Sequence, residues 1–286
     1  MDGYTRTCGL IGNPVEHTLS PFIHNTLAKL LSHNLVYVPF HVEEGQVLSA
    51  VQGAYALNLL GLNVTVPYKS QVMEGLIEID ELAEKIGAVN TLVRVESGFK
   101  GYNTDMPGLY RAMSSEGIQI EGQEVILLGA GGAARAVAFL CASKNAARVY
   151  LLNRSIEKAR EVAGEVNEKT GKDVMYPMAL SDYHCLPNQR FLAIQATSVG
   201  LYPDTEQAVI EDEAFYRKIH TGYDLIYKPS NTRFMQLVQK QGGKAYHGLK
   251  MLLYQGIIAY ELWNELAVSE EMASEVYEVL KKKMGM

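Results

Sequence analysis

Three short stretches of the chain carry residue types suited to chemistry rather than packing. Gly61-Leu62-Asn63-Val64-Thr65-Val66-Pro67-Tyr68-Lys69 reads as a strand that turns at Pro67, so Thr65 and Lys69 fall at or just beyond its carboxyl end. In α/β sheets that end faces the ligand crevice. Gly101-Tyr102-Asn103-Thr104-Asp105 lies where the chain is expected to cross between domains, an apt place for a residue that meets both a substrate and a cofactor. Reduction of a ketone by a hydride leaves an alkoxide, and a nearby ammonium can donate the proton it requires. A carboxylate beside that ammonium would orient it and hold a substrate hydroxyl. Spacing alone leaves a second reading of Lys69 open, as one exposed cation among 26 basic residues.

The third stretch, Gly129-Ala130-Gly131-Gly132-Ala133-Ala134, has the pattern of a dinucleotide turn with Gly129, Gly131 and Ala134 at the key places. The first glycine turns the chain, and the second lets a pyrophosphate reach backbone N–H groups at a helix start. The small third residue allows close helix–strand packing. A glycine-rich turn can be only a turn, but this one sits between the apolar run Val125–Leu128 and an alanine-rich helix, the context the motif demands. The next strand ends in Asn153-Arg154-Ser155, with Lys158 one helical turn on. An enzyme for NAD usually has an acid there, whereas a guanidinium fits the 2′-phosphate of NADP. NADP is therefore the expected cofactor; the alternative is a solvated arginine at a helix start.

The elements that must position these residues alternate along the chain without an internal repeat or low-complexity linker, which argues for α/β architecture with largely parallel sheets. Expected strands are 7–11, 36–40 and 62–66, then a hairpin of 91–95 with 99–102 turning at Glu96-Ser97-Gly98. A helix is expected to start near Ser20-Pro21, with serine as its cap and proline as its first residue. Strand 124–128, helix 133–143, strand 148–152 and a helix over 155–169 follow, and strands 191–196, 222–226 and 244–246 continue the sheet. Residues 249–286 read as helical throughout, with Leu252, Ile258, Leu262 and Leu266 as the apolar stripe. They have no strand of their own to cover, so they are expected to return to the first domain and make it discontinuous. The predicted domains are 1–104 with 249–286, and 105–248.

Composition narrows the function classes. Twenty-six basic against 32 acidic residues leave a net charge of −6, which disfavours a polyanionic partner, so nucleic acid is not expected. Any anionic ligand must be met by a few local cations or N–H groups. No window approaches the ~20 apolar residues of a membrane span; the stretch from Leu249 to Trp263 holds Lys250, Gln255 and Glu261. The start of the chain lacks the apolar run of a signal peptide, so the cytoplasm is the expected compartment. Cys8, Cys141 and Cys185 are too scattered for a disulfide framework or a metal site, and buried apolar positions are expected for them.

The chain resembles the shikimate dehydrogenase family over almost its whole length. The resemblance is carried, in the family's order, by Gly9–Asn25 (GLIGNPVEHTLSPFIHN), Gly61–Lys69 (GLNVTVPYK), Gly87–Leu92 (GAVNTL), Gly101–Asp105 (GYNTD), Gly129–Ala136 (GAGGAARA), Asn153–Ser155 (NRS), Tyr227–Thr232 (YKPSNT) and Gly248–Gln255 (GLKMLLYQ). It implies an α/β substrate domain completed by the C-terminal helices, a Rossmann-like doubly wound NADP-binding domain, and an active site in the groove between them. It implies that Lys69 and Asp105 are catalytic and that Thr18, Ser20, Thr65, Lys69, Asn90, Asp105, Tyr227 and Gln255 hold the carboxylate and hydroxyls of shikimate. Leu225, Gly248 and Met251 would contribute to the nicotinamide pocket, with Glu81 near the cofactor. Asn90 could instead only cap its turn and Tyr227 could be an ordinary strand aromatic. Gln255 has no such alternative, because a bare amide on an apolar helix face would be costly.

Several positions depart from the family pattern. Thr18 stands where serine is usual, keeping the hydroxyl and adding a methyl group. Gln195 stands in QATS where NATS is usual, Ser155 replaces a common threonine, and Lys250 replaces a common glycine, for which the sequence offers no reason. The implied activity is NADP-dependent, reversible reduction of 3-dehydroshikimate, with the small-molecule substrate as the partner and a homodimer as the candidate assembly. A quinate/shikimate dehydrogenase of broader use is the nearest alternative; Thr18 could favour it, and Arg154 speaks against its NAD preference. A non-catalytic metabolite sensor on this scaffold could dispense with Lys69 and would need an effector domain for which this length leaves no room.

Overall fold

Alternation of strand and helix produces two separate six-stranded sheets in the computed structural model, which describes all 286 residues. The first half of the chain contributes β1 (Arg6–Gly12), α1 (Ser20–Leu30), β2 (Leu35–His41), α2 (Val47–Ala56), β3 (Gly61–Val64), β4 (Glu78–Ile79), α3 (Glu81–Ile86), β5 (Thr91–Val95), β6 (Gly98–Tyr102) and α4 (Asp105–Ser115). Their sheet runs β2-β1-β3-β5-β6-β4, with β1, β2 and β3 parallel and the expected β5–β6 hairpin antiparallel beside β3. Every residue of β3 is buried, the pattern of a strand covered on both faces. Ile11, Val51, Leu62, Val64, Val72 and Phe99 belong to one apolar cluster against it. His24, Tyr37 and Trp263 stack in another group.

The second half contributes β7 (Glu124–Leu128), α5 (Gly132–Ser143), β8 (Arg148–Asn153), α6 (Ile156–Thr170), β9 (Met175–Ala179), β10 (Phe191–Gln195), α7 (Glu213–Tyr216), β11 (Ile219–Asp224), α8 (Arg233–Lys240), β12 (Lys244–Tyr246), α9 (Leu249–Asn264) and α10 (Glu270–Met284). Its sheet, β12-β11-β10-β7-β8-β9, is parallel throughout and reverses direction of growth between β7 and β10. That reversal is the switch point at which doubly wound sheets take their ligands. The chain divides into two compact units, Met1–Leu109 with Leu252–Met286, and Tyr110–Met251. The C-terminal helices return to the first unit, where Trp263 Nε1 donates to the Leu92 carbonyl at 2.8 Å.

Several expectations need correction. Ser20 is the first residue of α1 rather than its cap; Leu19 holds the cap position, and no side chain bonds there. β9 was not expected because Pro177 interrupts its run, and it is tolerated because β9 pairs only with β8 at the sheet's edge. β4, only two residues long, offers no alternation to read. β11 starts three residues and ends two residues earlier than expected, leaving Leu225 and Ile226 beyond the strand. The C-terminal stretch is broken between α9 and α10, where Glu265 takes φ of 53° and Ser269 caps the new helix through the Met272 N–H. The face of α9 that is buried is Leu253, Ile257, Tyr260 and Trp263, not the stripe of Leu252, Ile258, Leu262 and Leu266. α9 is apolar on more than one side, so spacing alone could not choose. Cys8 and Cys141 are buried, but Cys185 is exposed. No helix is long and apolar enough to cross a membrane.

Candidate active site

β3 ends at Val64, and the Thr65 N–H closes the strand on the Ile11 carbonyl at 3.0 Å. The turn that follows is tethered by the buried Tyr68, whose hydroxyl donates to the Val42 carbonyl at 2.7 Å. The Lys69 carbonyl in turn accepts from the Val89 N–H at 2.8 Å, which fixes its backbone. From that anchor the Lys69 ammonium donates to Asp105 Oδ2 at 2.6 Å. The two side chains are 33% and 22% exposed, so the pair is reachable from solvent while partly shielded from it. A charge-assisted contact of this length is among the stronger hydrogen bonds.

Asp105 opens α4, and what holds it there is a buried polar chain. Asn90, 3% exposed, accepts from the Thr104 N–H at 2.7 Å through Oδ1 and donates from Nδ2 to Thr104 Oγ1 at 3.0 Å. Asn103 Oδ1 accepts from the Met106 N–H across the start of the helix. Thr91 Oγ1 donates to Asn90 Oδ1 at 3.1 Å and accepts from Asn63 Nδ2 at 3.0 Å. Asn63 Oδ1 accepts from the Tyr37 hydroxyl at 2.8 Å, beside which lies the hydroxyl of Ser20. Thr18 Oγ1 and Ser20 Oγ are 3.2 Å apart. Asn90 therefore does more than cap a turn: it holds the residue before Asp105. The sequence reading missed Tyr37, Asn63, Thr91 and Thr104 as members of this chain. The signal was Asn63, a polar residue inside an apolar strand that must find partners when buried.

Gln255 lies half-buried on α9, and its amide is not bare, because Nε2 donates to the Leu252 carbonyl of its own helix at 2.8 Å. His24 is fully buried with both ring nitrogens unpaired, and burial pushes it down to about 3, so it is a neutral packing ring stacked on Tyr37 at 4.2 Å. Glu81 belongs to the first unit, on α3, where it pairs with Lys85, whose hydrogen bond and charge hold its carboxyl below the usual range.

In the second unit the glycine turn leaves β7 with Gly129 at φ of 112°, a conformation that favours glycine. A Cβ there would also stand 2.8 Å from the Thr197 methyl. Gly131 and Gly132 are different: a Cβ on either would meet nothing within 4 Å, so no protein contact requires them. No side chain caps α5 at Gly131, which leaves its first N–H groups for an external acceptor, and Ala134 behind them is fully buried. This arrangement fits a pyrophosphate. After β8, Asn153 Nδ2 donates to the Ser155 carbonyl, and Ser155 caps α6 by accepting from the Lys158 N–H. Arg154 and Lys158 point exposed side chains outward.

Leu225 and Gly248 meet, as a Cβ on Gly248 would lie 2.0 Å from the Leu225 carbonyl oxygen, while the Gly248 N–H donates to Ile226 at 3.0 Å. Met251 is half-buried one turn into α9, and burial raises the Tyr227 phenol. Lys250 pairs with Glu116 and reaches Ser115 Oγ at 3.3 Å, which gives this departure a structural role tying the start of α9 to the end of α4.

Residues 10–92 match the shikimate dehydrogenase substrate binding domain, and residues 112–200 match shikimate / quinate 5-dehydrogenase. Shikimate dehydrogenase (NADP(+)) of Desulforamulus reducens is 41% identical over 265 residues, covering 92% of this chain and 91% of its own. The chain belongs to the shikimate dehydrogenase family. Among solved structures, shikimate 5-dehydrogenase of Listeria monocytogenes in complex with shikimate and NAD superposes with a TM-score of 0.90 at 30% identity, covering 98% of both chains. Shikimate 5-dehydrogenase of Thermus thermophilus in complex with NADP(H) and shikimate gives 0.82 at 30%, covering 96% of this chain and 98% of that one.

Proposed function

We propose that this chain catalyses the reversible, NADP-dependent reduction of 3-dehydroshikimate to shikimate, a step of aromatic amino acid biosynthesis through chorismate. The observation that carries the reading, within a chain of this family, is the 2.6 Å contact between the Lys69 ammonium and the Asp105 carboxylate. Bound NADPH supplies the hydride. Lys69 donates its proton to the carbonyl oxygen as negative charge builds there, an interaction that gains strength in the transition state. Asp105 orients that ammonium and accepts a hydrogen bond from a substrate hydroxyl, and Asn90 keeps Asp105 in place through Thr104. Thr18, Ser20, Thr65, Tyr227 and Gln255 hold the substrate's remaining polar groups. In this reading residues 1–104 with 249–286 form the substrate domain and 105–248 the NADP domain. Gly129–Ala133 would hold the cofactor's pyrophosphate and Arg154 its 2′-phosphate, with Asn153, Ser155 and Lys158 beside it. Leu225, Gly248 and Met251 would line the nicotinamide pocket.

Oxidation of NADPH followed by absorbance, with 3-dehydroshikimate as substrate, tests the activity. Turnover with that pair and little with quinate plus NAD is the expected result. Comparable turnover of quinate with NAD would replace it by the broader activity, and no turnover of either would overturn it. A cytoplasmic location and a homodimer belong to the same proposal, and cell fractionation and light scattering check them.

A further inference from the structure

The ends of β10 and β11 are joined by a polar cluster sealed from solvent. Gln195 and Asp224, the last residues of these strands, are both 0% exposed, and Thr232 is 1% exposed. The Gln195 amide uses every hydrogen it has: Nε2 donates to the Val199 carbonyl at 3.1 Å and to Asp224 Oδ1 at 3.3 Å. Its Oε1 accepts from the Thr197 N–H at 2.5 Å. Asp224 Oδ1 also accepts from the Ile226 N–H at 3.0 Å, and Oδ2 accepts from Thr232 Oγ1 at 2.6 Å. Thr232 is at the same time the cap of α8, accepting from the Met235 N–H.

Such a cluster is a poor way to gain stability, since well-packed apolar side chains of similar volume usually do as well. What it does supply is a fixed geometry. Gln195 grips the loop whose Thr197 methyl abuts Gly129, the pivot of the glycine turn. Asp224 grips the Ile226 N–H, while the carbonyl of the neighbouring Leu225 is the surface against which Gly248 is closed. The Leu225 N–H in turn donates to the Gln195 carbonyl at 3.0 Å. One amide and one carboxylate thus connect both flanks of the switch point between β7 and β10.

We propose that Gln195 and Asp224 are positioning residues for the cofactor, a buried pair that sets the spacing between the glycine turn and the Leu225–Tyr227 segment. This rests on the reading that the dinucleotide lies across the carboxyl end of this sheet. A dinucleotide held at two points binds and reacts well only when those points keep their spacing, because small misplacements of the reacting carbon are costly. The departure at position 195 acquires a meaning here: glutamine spans from Thr197 to Asp224, and an asparagine side chain, one methylene shorter, would not make the same bridge.

The test uses the full chain and two probes, NADPH and adenosine 2′,5′-bisphosphate, which carries the 2′-phosphate but no nicotinamide. Gln195→Ala is expected to weaken NADPH binding and lower kcat, each by on the order of ten- to a hundredfold, while adenosine 2′,5′-bisphosphate binds as before and the KM for shikimate stays put. Gln195→Asn, milder for folding, is expected to move the same quantities in the same direction by less. Asp224→Asn is expected to rescue what Asp224→Ala loses, because its oxygen still accepts from Ile226 and Gln195 and its amide can face Thr232. Gly131→Val is the control for the underlying reading, since a Cβ there meets nothing within 4 Å. If Gly131→Val leaves NADPH binding intact, the cofactor lies elsewhere and the proposal falls with that reading. If Gly131→Val weakens NADPH while Gln195→Ala and Gln195→Asn bind it normally, or lose both probes equally, the pair positions nothing and only the proposal falls.

Discussion

Asp105 and Asp224 both stand where the chain leaves a sheet, and they have opposite surroundings. Asp105 keeps 22% of its side chain in solvent and faces an ammonium at 2.6 Å. Asp224 has no exposure and is met only by neutral donors, two N–H groups and a hydroxyl. Three hydrogen bonds do not replace water around a full charge, so burial pushes the Asp224 carboxyl up to about 6. An acid that meets a substrate must be reachable and have its charge balanced, whereas one that holds backbone in place can be sealed. The contrast matches the roles proposed for the two aspartates, one in chemistry and one in architecture.

The solvent-reachable pair is where a substitution should cost most. Lys69→Ala should lower kcat by about 10²–10⁴-fold with little change in the KM for shikimate, while leaving thermal stability close to that of the parent. Asp105→Asn should also be impaired, with a larger share in KM, and the double variant should lose far less than the product of the two single effects. Steady-state kinetics of the three variants with melting curves decide it; near-normal kcat in Lys69→Ala would sink the assignment.

On the sealed side the readout is pH. A carboxyl whose ordinary value is 3.8 and whose folded value is about 6 favours the fold while protonated. Its stabilising contribution is complete below pH 3.8 and is lost as pH rises through 6. Relative to Asp224→Asn, which does not titrate, the native chain should lose about 2 kcal/mol of stability between pH 4 and 7. Urea titrations of both proteins across that range measure it, and a flat difference would mean that the carboxyl is not penalised by burial.

Smaller effects sharpen the reading of each unit. Arg154→Ala should weaken NADPH by roughly one to two decades and NADH hardly at all, since only NADPH carries the 2′-phosphate; equal losses would remove the arginine from phosphate recognition. Thr18→Ser, which keeps the hydroxyl that contacts Ser20, should change shikimate affinity by less than about 1 kcal/mol, as measured by KM.

What the sequence could and could not convey follows the range of the interactions. The glycine turn was legible because its strand, turn and helix are contiguous, and α/β alternation was legible for the same reason. Lys69 and Asp105 were legible as motifs, but their contact spans 36 positions and had to come from the fold. β9 was hidden by Pro177, and only its place at an edge explains why a strand survives there. α9 was visible as a helix while its buried face was not, because apolar residues occur on more than one side. Gln195 was visible as a departure and mute about its partners, since Asp224 lies on a neighbouring strand and the rest depend on how the following loop folds back. Gln255 was left with no reading but a ligand's, because a bond to the helix's own backbone leaves no trace in composition.

The first unit is closed by Trp263, whose indole donates to Leu92 across 171 positions of chain. During synthesis the whole of the second unit must emerge from the ribosome before that indole exists. Residues 110–251 are contiguous and can acquire their parallel sheet as they appear, but the first sheet waits without α9 and α10 to cover it. A chain terminated just before Leu252 would keep its glycine turn and present the apolar side chains that surround Trp263 to water. Such a fragment is expected to be a client of chaperones and proteases rather than a slower enzyme.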